Sequence, residues 1–158
     1  FVLSYFLSSP LSEYLRLAIV VFVCIKYWKI FKKPKETSAL ANCLYICSWM
    51  ILISFTLTAF WQDGVIHASH KFFISGVVLL CLLIATRVLQ AHGPKDKKIE
   101  NKKILYFITF LIVFSGITRV LAFVLSDIYF KHLGYSAFIL DIGVIIWSYH
   151  FLRYAKTK

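Results

Sequence analysis

The sequence predicts an all-α, polytopic transmembrane helix bundle of about five spanning helices, forming one integral-membrane domain over residues 1–158. Three observations carry this reading. Of the residues, 60% are hydrophobic and 18% aromatic, and the mean hydropathy is +0.78. Five apolar stretches cover residues 14–31, 39–61, 72–91, 104–125 and 133–151, each close to the ~20 residues that cross a hydrocarbon core as a helix. Finally, the connections between them alternate between many lysines and few.

Each stretch reads as a helix for the same reason. In lipid every backbone N–H and C=O must be paired within the segment. Barrel strands would be about ten residues long with strict in–out alternation, whereas these runs are longer and apolar on all sides. The first runs from Tyr14 to Phe31 and is punctuated by Lys33-Pro34-Lys35. The second runs from Ala39 to Trp61, the third from Phe72 to Ala91. Gly93-Pro94 then stops the third, because proline cannot continue the helical ladder and constrains the residue before it. The charged run up to Lys103 reads as a solvated turn before the span Ile104–Leu125. The last span runs from Leu133 to Phe151. Ahead of them, Phe1–Leu11 reads as the tail of an earlier helix or a short interfacial stretch.

A net charge of +11 raises the question of nucleic acid, but its distribution answers it. Lys26, Lys29, Lys32, Lys33 and Lys35 surround the first connection, and Lys95, Lys97, Lys98, Lys102 and Lys103 the third. Arg153, Lys156 and Lys158 close the chain, while the second connection is flanked only by Lys71 and the fourth holds only Lys131. This is the positive-inside pattern. It places the first and third connections and the C-terminus in the cytoplasm and the N-terminus outside. The expected partner of the basic loops is the lipid surface, not nucleic acid.

Ionisable groups inside the spans demand compensation, since a charge at depth costs ~2.5–3.5 kcal/mol even on lenient scales. Arg87 lies near the cytoplasmic end of its span, within reach of the headgroups. Arg119 is sixteen residues beyond Lys103, ~24 Å into the membrane. Asp141, eight residues past Leu133, is expected at a matching depth, and a structural ion pair between Arg119 and Asp141 follows.

His67 and His70 are placed at the outer start of the third span and His132 at that of the fifth; His92 and His150 lie near the inner face. Imidazoles three apart project from neighbouring positions of a helix, so His67, His70 and an approaching His132 form a candidate metal site suited to haem iron or copper. Cys43 and Cys47, at i and i+4, read as small buried hydrophobes, as do Cys24 and Cys81. No phosphate-binding loop, nucleophile elbow, HExxH motif or dinucleotide fingerprint is present, and no catalytic residues are assigned.

The run from His70 through Thr86-Arg87-Val88 to Ala91-His92-Gly93 resembles the C-terminal region of the NnrS family. Ile117-Thr118-Arg119-Val120 resembles its next-helix arginine block, and Trp147, Phe151, Arg153 and Tyr154 its closing signature. Members are bacterial multi-span proteins linked to nitric oxide metabolism and reported to contain haem and copper. The resemblance implies a bacterial inner-membrane protein of the nitric oxide response or metal handling, with haem b, copper or both as cofactors. It makes His70 and His92 the first metal ligands to consider and Arg87 and Arg119 candidates for haem propionates. His70 and His92 are twenty-two residues apart, ~33 Å along one helix, so they imply two sites. Other membrane subunits, or an N-terminal half, are the partners expected to complete them. The alternative function is a cofactor-free structural or assembly subunit of a larger membrane complex, and a small bis-histidine haem reductase stands third.

Overall fold

A computed structural model describes residues 11–92 and 99–156. Among these, secondary structure is entirely helical: α1 (Leu11–Lys26), α2 (Ala39–Phe60), α3 (Val65–Lys71), a π-helical segment (Phe72–Val78), α4 (Leu79–His92), α5 (Ile104–Val124) and α6 (Tyr129–Phe151), with short 3₁₀ turns between and after them. The expected Gly93-Pro94 stop, Lys95–Lys98, Lys158 and the stretch before Leu11 lie outside the described residues.

Four helical units are long and apolar enough to cross a membrane: Ala39–Phe60, Gln62–His92, Ile104–Val124 and Ser126–Ala155. The fifth, α1, has 16 described residues, ~24 Å of helix. It ends at Lys26, five residues before the expected Phe31; the chain then turns through Lys29 in the left-handed region (φ 49°) and buries Ile30. The start of α2 is set by Ser38, whose Oγ accepts the Ala41 N–H at 3.2 Å, an N-cap that satisfies one orphan donor of the first turn.

The third and fifth spans begin earlier than their apolar runs suggest. After α2 the chain reverses through one 3₁₀ turn, Gln62–Gly64, and is helical again from Val65. Gly64 permits this tight return because the Trp61 indole lies directly on it, 2.5 Å from where a Cβ would stand. A second 3₁₀ turn, Ser126–Ile128, returns α5 into α6 at Tyr129, not Leu133. Polar residues at these ends conceal helix that hydropathy alone does not mark.

The helices pack in the order α1, α2, the α3–π–α4 unit, α5 and α6, with α5 against α6 as the most extensive pair. Small side chains let these two approach closely, as in lipid-embedded bundles generally. Ser115 Oγ donates to Ser136 O at 2.7 Å and Ser136 Oγ to Ser115 O at 2.9 Å, while Gly143 lies against Ile112. At the other end Trp147 Nε1 donates to Thr86 Oγ1 at 2.9 Å, and that hydroxyl donates to Leu82 O at 2.8 Å.

The interior is divided. One end of the bundle, where α1 finishes and α2 begins, carries the lysine-rich connections; the opposite end is lysine-poor. The largest apolar cluster fills the lysine-rich half with Leu40, Cys43, Leu79, Leu83, Leu105, Ile108 and Phe151. Apart from Thr86 and Thr109, the buried polar and charged side chains lie in the lysine-poor half. Thr86→Val keeps the shape but orphans the Trp147 N–H, so it is expected to lower stability by about 1–3 kcal/mol. Detergent-titrated unfolding of the purified variant measures this.

Candidate functional site

The polar half is built chiefly on α3 and the π segment. His67 is buried and its Nδ1 lies 3.3 Å from Arg119 O. Because a carbonyl only accepts, Nδ1 carries the proton. The ring is flanked by Phe123 and Tyr129, with centroids at 5.2 and 5.8 Å. His70, one turn on, is exposed; its Nδ1 donates to Ile66 O at 2.7 Å, which leaves Nε2 as the free nitrogen. The two imidazoles therefore diverge, one into the bundle and one away from it. His132 is half-buried beside Tyr135, and its buried Nδ1 has no hydrogen-bond partner.

The expected Arg119–Asp141 contact does not form. The ion pairs among the described residues are Arg16–Glu13, at 2.6 Å, and Arg87–Glu100. The reason is register. Arg119 lies five residues before Val124, but Asp141 lies twelve past Tyr129, so they sit ~8 Å and ~18 Å from the same end. The Ser115–Ser136 bonds fix that offset. Gly143, two residues from Asp141, packs on Ile112, seven residues before Arg119. Asp141 is exposed on α6, and Arg119 is half-buried with its Nε unpaired.

Lys71 is the residue the sequence pattern hid. It reads as a loop-flank lysine because apolar character is densest after Phe72, yet Val65 and Ile66 precede it and one helix runs through it. It is 4% exposed. Its Nζ donates to Ser54 Oγ at 3.1 Å and to Met50 O at 3.4 Å. Immediately after it the helix widens into the π segment, a form that is rare and often found at functional sites. Cys47 Sγ donates to Gly76 O within that segment at 3.4 Å. Ser75 Oγ is buried without a partner and points at Gly116.

At the lysine-rich end Arg87 pairs with Glu100 beside an open cleft of about 590 Å³ that Lys35, Ser38, Gln90 and Asn101 also line. His92 is exposed at the end of α4, and His150 is half-buried against Tyr149. Thus His70 and His92 occupy opposite ends, as their spacing implies.

These positions bear on the haem or copper implied by the resemblance. No group of three histidine, cysteine or carboxylate side chains converges among the described residues. His67 is enclosed by aromatic rings, and His70 faces away from the bundle. The described residues of one chain do not make a closed haem or copper site. What they offer at the lysine-poor end is one exposed oriented imidazole, that of His70, with the half-buried Arg119 guanidinium at that same end.

The fold and its buried charges define a multi-pass, all-α membrane protein. Its sequence matches the family described as NnrS protein over residues 1–156, and the chain belongs to that family. Neither a curated protein nor a solved structure shows significant similarity to it.

Two outcomes follow from this geometry. Arg119→Ala and Asp141→Ala are expected to be additive within about 0.3–0.5 kcal/mol, as for sites without a shared contact; a double-mutant cycle in detergent reads this. A methyl at Gly116 collides with Ser75 Oγ, so Gly116→Ala should cost about 1–3 kcal/mol through overpacking. Adding Ser75→Ala should recover most of that loss in the same unfolding assay, since it removes an unpaired hydroxyl.

Proposed function

We propose that this chain is a haem- or copper-associated protein of the bacterial inner membrane, acting in nitric oxide response or metal handling. In this reading the lysine-rich end lies in the cytoplasm and the lysine-poor end outside, following the charge asymmetry of the connections. Membership of the NnrS family supports the physiological context.

The observation that carries the cofactor reading is the posture of His70. An imidazole whose Nδ1–H is held by a backbone carbonyl presents Nε2 in a fixed direction, the arrangement that commonly orients metal-bound histidine. His70 has that arrangement through Ile66 O and turns its free nitrogen outward. A second ligand would come from another copy or another membrane subunit. Arg119, at the same end, is the group suited to a haem carboxylate, whereas Arg87 already has Glu100. His92 is the weaker ligand, since no described group orients its ring.

The optical spectrum of protein purified from its own membrane tests this. A Soret band is expected in the native protein, lost in His70→Ala and retained in His92→Ala. Colourless, metal-free protein would overturn the reading.

Asp141 favours a second reading, that of an assembly subunit. An exposed carboxylate ~18 Å along its helix has no ion pair or hydrogen bond among the described residues. A neighbouring helix bearing a donor or cation would remove that cost. Fixed subunits copurifying with cofactor-free protein, and lost in Asp141→Leu, would select it.

A further inference from the structure

Lys71 poses a separate problem of charge balance. Its ammonium is enclosed within the bundle, yet its described partners, Ser54 Oγ and Met50 O, are both neutral. Glu13, a carboxylate lining the cavity that Ser54 also lines, is engaged by Arg16 at 2.6 Å. A buried ion costs several kcal/mol unless its charge is met, and these neighbours leave one positive charge over.

A cavity reaches the Ser54 side chain that this ammonium contacts, although Lys71 itself does not line it. Ser54, the acceptor for Lys71, also lines a chamber of about 140 Å³ between α1, α2 and the start of the π segment. Glu13, Arg16, Thr58, Ser69 and Phe72 also line it. One water needs ~10–15 Å³ on the same measure, so the chamber has room for a small ion with companion waters. Its walls combine a guanidinium, three hydroxyls and aromatic faces, with the lysine one hydroxyl away. The carboxylate and guanidinium cancel, which leaves the charge of Lys71 to select the occupant.

We propose that Lys71 and this chamber form a binding site for one small monovalent inorganic anion, of the chloride or nitrate class. The anion neutralises the Lys71 ammonium, and the hydroxyls of Ser54, Thr58 and Ser69 border its hydration. No proton or electron moves in this step; it is binding alone.

The test uses the full chain in nanodiscs of zwitterionic lipid, in gluconate buffer of constant ionic strength. Chloride and nitrate are titrated, and the unfolding temperature and the heat of binding are read. A saturable rise with chloride or nitrate is expected in the native protein. It should be lost in Lys71→Met and in Ser69→Leu, which fills the chamber while leaving the lysine in place. If Lys71→Met does not fold, Ser69→Leu decides alone. Absence of saturable binding in the native protein overturns the proposal, as does binding that survives either substitution.

Discussion

The reciprocal bonds between Ser115 and Ser136 set the register on which the lysine-poor half depends. Each hydroxyl donates to the other residue's backbone carbonyl, and both side chains are shielded from solvent. Inter-helix bonds of this kind average only ~0.6 kcal/mol in lipid, so their role lies more in geometry than in energy. Sliding α6 by one turn would break both at once and take both hydroxyls from their acceptors. With that register fixed, Trp147 meets Thr86 at the far end of α6, and Arg119 and Asp141 are held at different depths.

The division of the interior follows from what each half must do. The lysine-rich half closes around interlocking aliphatic side chains, with α6 tied to α4 through one indole hydrogen bond. In the other half small polar residues, Ser54, Thr58, Ser75, Ser115 and Ser136, replace large aliphatic ones. Close packing there rests on backbone approach and on hydroxyls turned back to carbonyls, as in Ser54 to Met50 O and Thr58 to Phe55 O. The π segment interrupts regular helix within this same half. Polar side chains and backbone irregularity coincide there, which is expected where a membrane bundle handles ions or cofactors.

Much of this was legible in the sequence. The apolar runs located α2 and α5 almost to the residue because their ends coincide with hydropathy breaks. Family membership was legible from the Thr-Arg-Val blocks and the closing aromatic signature, and the family match covers both. The return turns were not. Gln62–Gly64 and Ser126–Ile128 are polar or mixed, and hydropathy assigns such residues to loops although they wind directly into the next helix. Reading the two turns as loops displaced Asp141 by four residues of helix, hid Lys71 in a loop and concealed the burial of His67. The divergence of the two histidines was unreadable for another reason. A spacing of three permits a shared face, and only the positions of Phe123 and Tyr129 draw one ring inward.

The charged groups of the spans show why the bundle looks outward for completion. Arg16 and Arg87 each have a carboxylate within the chain, and both therefore need nothing further. Lys71 has neutral acceptors, Arg119 an unpaired Nε, and Asp141 an exposed position on an edge helix. Desolvation makes each of these costly alone, and the register of α5 and α6 prevents Arg119 and Asp141 from cancelling each other. Their charges can be balanced separately: an anion at Lys71, a carboxylate-bearing group at Arg119 and a donor helix at Asp141. A bundle stabilised only by its own contacts would gain from replacing all three with apolar residues of similar volume. Retaining all three accords with the external ligands proposed above, with Asp141 level with the apolar core near Ile112 and the other two nearer the lysine-poor end.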